Sequence, residues 1–271
     1  MSQTVLITGA SSGIGKAAAQ YFAQQGWNVA ATMRTPAKET ELNNLPNVKL
    51  YALDVTKTET IQAALQAAQQ DFGKLDVVVN NAGYGVDGVF EAMSDDVIER
   101  QFDTNVFGLM RVTREAIKMM RAQGGGTIVQ IASMGGRLAL PLYSIYHGTK
   151  WAVEGFTESL QFEVAPFNIK LKLVEPGPIQ TDFYDRSREF VKPTDTNVYD
   201  NFIKKVEQVS METGAKGEPP LAVAKTIYKA ATDTGNRLRY SVGAPGPMLL
   251  RLRKALPDSL WFKIVKSSYK I

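Results

Sequence analysis

At 271 residues the chain is longer than an average domain, yet one large α/β sheet absorbs that length, so a single domain over residues 1–271 is expected. Its 44% hydrophobic and 21% charged residues suit a globular protein with a substantial core, and the lack of cysteine excludes disulfides, thiol nucleophiles and thiolate metal sites. The net charge of +4 gathers between Arg251 and Ile271, where six basic residues stand against one acid; the nearly neutral remainder argues against nucleic acid as a partner.

Ser2 to Thr8 lead straight into an apolar strand, without the charged start and cleavage site of a secretion signal. No apolar run approaches the roughly 18 residues of a spanning helix, so a cytoplasmic protein is expected. Seven apolar, β-branched runs are predicted as strands: Thr4 to Thr8, Asn28 to Met33, Val48 to Leu53, Leu75 to Asn80, Thr127 to Ala132, Ile169 to Val174 and Arg239 to Val242. Between them, apolar residues recurring at three and four positions predict helices over Gly13 to Gln25, Glu59 to Phe72, Asp95 to Arg121 with a kink, Ser144 to Ala165 and Leu221 to Thr232. Gly26, Pro46 and Pro166 stand where helices should stop. Alternation of this kind implies a parallel sheet covered on both faces, and right-handed crossovers make it a Rossmann-like, doubly wound α/β sandwich.

The rhythm breaks between Phe183 and Pro220, which reads as a loop excursion with a short helix, Tyr199 to Val209, of the kind that forms lids and binding loops. From Leu249 to Ile271, leucines, Trp261 and Phe262 interleave with lysines and arginines. A basic amphipathic segment of that kind packs over a substrate pocket or a subunit neighbour, or rests on an anionic membrane surface; packing is the expectation.

Thr8-Gly9-Ala10-Ser11-Ser12-Gly13-Ile14-Gly15 joins the first strand to the first helix. Glycines there let the chain turn sharply and let a pyrophosphate reach the amides at the positive helix end. The spacing is G-x-x-x-G-x-G, and in this the chain resembles the short-chain dehydrogenase/reductase family, whose signature turn is T-G-x-x-x-G-x-G. Asn80-Asn81-Ala82-Gly83, Asp54 after the third strand, and Pro176-Gly177 with Thr181 after the sixth match further family motifs in order, over about residues 3 to 182. The resemblance implies a dinucleotide held by Gly9, Ser11, Ser12, Gly13, Ile14 and Gly15. It also implies adenine contacts at Asp54 and Val55, ribose contacts along Asn81, Ala82 and Gly83, and nicotinamide contacts at Pro176, Gly177, Ile179 and Thr181.

Cofactor choice is set just after the second strand, where a carboxylate would accept from a ribose 2′-hydroxyl and repel a 2′-phosphate. Arg34 stands there instead. Its guanidinium can fork onto a phosphate, which favours NADP(H).

Tyr146 and Lys150 form Y-x-x-x-K on one face of a predicted helix. A nearby ammonium stabilises phenolate and draws a tyrosine pKa from about 10 toward neutrality, giving an acid and base usable at physiological pH. In the family a serine orients the substrate carbonyl, the tyrosine transfers the proton, the lysine also binds the nicotinamide ribose, and an asparagine holds a relay water. The resemblance places these roles on Ser133, Tyr146, Lys150 and Asn105. His147, the only histidine, faces about 100° away from Tyr146 on the helix and suits packing better than catalysis. No metal site is expected.

The implied reaction is hydride transfer between NADP(H) and a carbonyl or secondary alcohol. Ser133, Tyr143, Tyr146 and Phe183 are expected at the substrate, with Tyr84, Val86, Met134, Leu138, Leu140, Tyr184 and Phe190 as further pocket walls that suit an apolar molecule. Met33-Arg34 and Asn105-Val106-Phe107-Gly108 resemble the steroid- and retinoid-type branch. A catalytically silent dinucleotide-binding regulator and an epimerase or dehydratase on the same fold are the alternatives. The resemblance also implies a homodimer or homotetramer formed through the helices Asp95 to Arg121 and Ser144 to Ala165.

Overall fold

The computed structural model describes residues 2–180 and 188–271. The strands β1 (Thr4–Ile7), β2 (Asn28–Met33), β3 (Val48–Ala52), β4 (Val77–Asn80), β6 (Gly126–Ile131), β7 (Ile169–Pro176) and β9 (Arg239–Val242) form one parallel sheet in the order β3-β2-β1-β4-β6-β7-β9. Chain order reverses between β1 and β4, so the loops after those strands splay apart and open a crevice at their carboxyl ends.

Helices α1 (Gly13–Gln24) and α7 (Pro220–Thr232) cover one face of this sheet, burying Phe22, Val223 and Ile227, with Trp27 from the turn after α1, against Val5, Ile7 and Val129. On the other face α2 (Thr58–Phe72), α4 (Leu109–Ala122) and α5 (Ser144–Val164) bury Ile61, Leu65, Val112, Met120 and Val164 against Leu6, Val78 and Ile128. The central strands β1 and β4 are almost wholly apolar because both faces are covered, whereas β3, β7 and the edge strand β9 carry the charged residues Lys49, Lys170, Lys172, Glu175 and Arg239.

Three departures from the sequence-based expectation bear on the site. The helix predicted over Asp95 to Arg121 is α3 (Asp95–Phe102) and α4, joined by a π-helical turn, Asp103–Gly108, that contains Asn105. Such turns insert an extra residue and re-aim side chains. The helix predicted over Tyr199 to Val209 runs further, as α6 (Asp200–Ala215). Two short strands, β5 (Gly85–Gly88) and β8 (Arg188–Val191), pair in parallel beside the crevice. The basic C-terminal segment forms α8 (Gly246–Ala255) and α9 (Asp258–Tyr269), whose Leu250, Trp261, Val265 and Tyr269 pack with Leu138 and Val206. Among the described residues no helix is long and apolar enough to cross a membrane.

The β5·β8 pair is held by a buried ion pair. Arg188 donates from Nε and Nη2 to the two carboxylate oxygens of Asp87 at 2.7 and 2.6 Å, with Glu207 of α6 at 3.2 Å, and its guanidinium lies 4.8 Å from the Phe190 ring centre. Gly88, at φ +130°, lets the two backbones close: a Cβ there would stand 1.9 Å from the Val191 carbonyl oxygen.

Candidate active site

A cavity of about 940 Å³ occupies the crevice. At one end lies the glycine turn. Gly9 takes φ +67°, and a Cβ at Gly15 would stand 2.3 Å from the Gly9 carbonyl oxygen and 2.5 Å from Asn81 Nδ2, so both positions exclude a side chain. Asn81 closes the turn by donating from Nδ2 to the carbonyls of Thr8 (3.0 Å) and Gly9 (3.1 Å). Thr8, which motif reading treated only as the start of the turn, is a buried hub. Its hydroxyl accepts from the amides of Asn81 and Ala82 at 2.9 and 3.0 Å and donates to the Val79 carbonyl at 3.3 Å, tying β1 to the loop after β4.

Ser11, Ser12, Gly13, Ile14, Ala82 and Gly83 line this end with Gly9 and Asn81, whereas Gly15 is buried behind it. Arg34 leaves the end of β2 exposed at the rim, and Asp54 and Val55 line the adjacent wall. Burial works against the Asp54 charge, but the amide and hydroxyl of Thr56 and the field of Arg34 win and hold the carboxyl below its usual range. Pro176, Gly177 and Ile179 form the far wall. The expected residues Thr181, Phe183 and Tyr184 lie outside the described residues.

Ser133, Tyr146 and Lys150 meet on the cavity between these walls. Ser133 leaves β6 in an extended conformation, and its Oγ accepts from the Gly135 amide at 3.1 Å, which leaves its hydroxyl proton to point elsewhere. Tyr146 lies in the first turn of α5, half-buried, with its ring edge-on to Tyr143 at 6.4 Å between centres. One turn on, Lys150 is buried: its Nζ donates to the Ile131 carbonyl at 2.9 Å and lies 5.7 Å from the centre of the Tyr146 ring. Burial pushes its ammonium down to about 8, against the pull of the Glu154 carboxylate, so it remains charged at neutral pH.

Asn105 stands behind the cavity rather than on its wall. From the π-helical turn its Nδ2 donates to the Tyr84 carbonyl (2.8 Å) and Thr149 Oγ1 (3.3 Å), while Oδ1 accepts from the Tyr84 amide at 3.1 Å. It thereby clamps the N-N-A-G loop to the helix of Tyr146. His147 packs, as expected: burial takes its imidazole down to about 4, hence neutral, and Nδ1 accepts from the Leu140 amide at 3.3 Å.

The pocket wall differs from the expected one. Met134, Leu140, Tyr143 and Tyr84 line it, but Val86 and Leu138 are fully buried in the core and Phe190 lies under Arg188 instead. Ser210 and Thr213 from α6, Tyr269 from α9 and the polar residues Arg100, Asp103, Thr104, Arg188 and Glu189 line it too. Only tertiary contact brings these residues to the site, and no local motif marks them. Among the described residues no cluster of three or more metal-ligating side chains occurs.

The chain belongs to the short-chain dehydrogenase family, whose model it matches over residues 3–192. It is an oxidoreductase of that family. It is 33% identical over 272 residues to the 3-ketodihydrosphingosine reductase of Bacteroides thetaiotaomicron, with 99% of this chain and 98% of that protein covered. A short-chain dehydrogenase from Streptomyces avermitilis superposes with a TM-score of 0.83 at 31% identity, covering 98% of this chain and 95% of that one. The structure of ElxO with NADP bound superposes with a TM-score of 0.74 at 30% identity, covering 89% of this chain and 98% of that one.

Proposed function

We propose that the protein interconverts a carbonyl and a secondary alcohol with NADP(H) as cofactor, on an apolar substrate, with Tyr146 transferring the proton. The observation that carries this reading is the convergence of Ser133, Tyr146 and Lys150 on the cavity that begins at the glycine turn. Bound NADPH supplies the hydride. The chain's residues do the rest. Gly9 and Gly15 let the turn close tightly so that a pyrophosphate could reach the amides at the start of α1, and Arg34 at the rim would meet a 2′-phosphate. Gly177 and Ile179 face the nicotinamide end, and Lys150 the ribose.

With its oxygen atom committed to the Gly135 amide, Ser133 is free to donate its hydroxyl proton to the substrate oxygen. Tyr146 donates the second hydrogen bond, so charge developing on that oxygen is met where it forms. The Lys150 ammonium stabilises the phenolate left after proton transfer. Asn105 acts as a positioning residue, with the second lone pair of its Oδ1 available to a relay water. Met134, Leu140, Tyr143 and Tyr269 suit the apolar body of the substrate.

The test is a panel of apolar ketones and secondary alcohols run with NADPH and NADH. Turnover with NADPH preferred is expected. An Arg34→Ala variant should raise KM for NADPH about tenfold, the loss of roughly 1.4 kcal/mol from one charge-assisted contact, and leave KM for NADH nearly unchanged. No oxidation of NADPH with any member of the panel would speak for the silent regulator, and catalytic rather than stoichiometric cofactor use would speak for an epimerase. In Gly15→Ala the added methyl collides with the Gly9 carbonyl, so NADPH affinity, followed by fluorescence quenching, should fall at least about tenfold with the fold retained.

A further inference from the structure

A second cavity, of about 290 Å³, lies outside the active site between β9 and α8. Five of its lining residues are cations: Arg137, Arg237, Arg239, Arg251 and Lys254. The surrounding carboxylates are placed behind them rather than in the cavity. Glu175 pairs with Arg137 at 3.0 Å, Glu154 pairs with Arg239 at 2.9 Å, and Glu158 also bonds Arg239. Ser241, also on the wall, gives its hydroxyl to Glu175 at 2.6 Å. Asp233 lies in the field of both Arg237 and Lys172.

Charge does not balance there. With Lys172 included, six cations face the four carboxylates Glu154, Glu158, Glu175 and Asp233, leaving an excess of two positive charges. Arg251 and Lys254, three apart on one face of α8, make no hydrogen bond or ion pair among the described residues. Like charges turned toward one cavity repel unless an anion lies between them, and guanidinium groups match phosphate oxygens in a fork.

We infer that this cavity binds a phosphate group, carried either by a free anion or by a lipid headgroup, between Arg137 and Arg239 on one side and Arg251 and Lys254 on the other. An excess of two charges fits a phosphate dianion better than a carboxylate. The site also reaches the reaction centre by contact. Arg137 closes the turn that Ser133 begins, and α8 starts at Gly246, where a Cβ would lie 3.2 Å from Gly177 Cα and 3.5 Å from Met134 Sδ. A bound phosphate draws α8 and that turn together.

The test is calorimetric titration of the full chain with inorganic phosphate at constant ionic strength, alongside sedimentation with phosphatidylcholine vesicles containing phosphatidic acid, whose phosphomonoester is the lipid headgroup that carries the second charge. The double variant Arg251→Gln, Lys254→Gln changes two exposed side chains, and a matched thermal unfolding midpoint verifies its fold. Binding that the double variant weakens at least tenfold is expected. If it is seen with phosphate, the source is a free anion; if only with vesicles, a lipid headgroup. Phosphate held at the glycine turn contributes equally to both proteins. Equal binding by the wild type and the double variant, or no binding of either probe, overturns the inference.

Discussion

Replacing Tyr146 by phenylalanine is expected to lower kcat/KM for carbonyl reduction by about a thousandfold or more while leaving NADPH affinity within about twofold. The substitution removes one oxygen and keeps the ring that packs against Tyr143 and His147. General acid catalysis contributes typically 10²–10⁴-fold, and a thousandfold loss is about 4 kcal/mol of transition-state stabilisation. Lys150 keeps its bond to the Ile131 carbonyl in the variant, so the cofactor side is undisturbed. Steady-state kinetics paired with fluorescence titration of NADPH separate the two quantities. Activity within tenfold of wild type would remove Tyr146 from the proposed mechanism.

The second large effect is on stability. Asp87→Ala is expected to destabilise the protein by about 3–5 kcal/mol, because it leaves the Arg188 charge buried without its main partner. Arg188 owes its raised pKa first to the hydrogen bonds it donates to Asp87, with burial opposing, and Glu207 at 3.2 Å is a poorer partner than the two-pronged carboxylate. Urea denaturation followed by tryptophan fluorescence would show the loss as a lower midpoint at unchanged slope. The double variant Asp87→Ala, Arg188→Met removes both charges and should recover much of the loss. If the single variant were as stable as wild type, the ion pair would not be what holds β5 to β8. Arg188 also lines the active-site cavity, so the single variant should show a raised substrate KM.

The parts of the molecule legible in the sequence are those whose physics is local. Strands buried on both faces, such as Val5–Ile7 and Val77–Val79, read as apolar runs, and the β-branched and apolar residues of the other five strands carry enough of the same signal to mark the sheet. Gly9, Gly13 and Gly15 mark the turn because positive φ or close backbone approach requires glycine there, and Tyr146 with Lys150 needs only one helical turn to meet. What stayed hidden depends on distant partners. Gly85-Val-Asp-Gly has no strand pattern, and its pairing with Arg188–Val191 rests on Asp87 finding an arginine far along the chain. The π-helical turn is set by the three bonds of Asn105 to Tyr84 and Thr149, invisible to a helical repeat. Val86 and Leu138 read as pocket walls because an apolar side chain near a motif looks the same whether it faces a cavity or the core.

Tyr269 on the pocket wall has a consequence for the order in which the site comes into being. The ribosome releases the glycine turn, Asn81, Ser133, Tyr146 and Lys150 well before α9 is made, so the reacting groups exist for a time beside a cavity that lacks part of its wall. In that interval the crevice is open to water where the substrate will lie. Arrival of α9, anchored by Trp261 and Val265, adds Tyr269 to the cavity's wall.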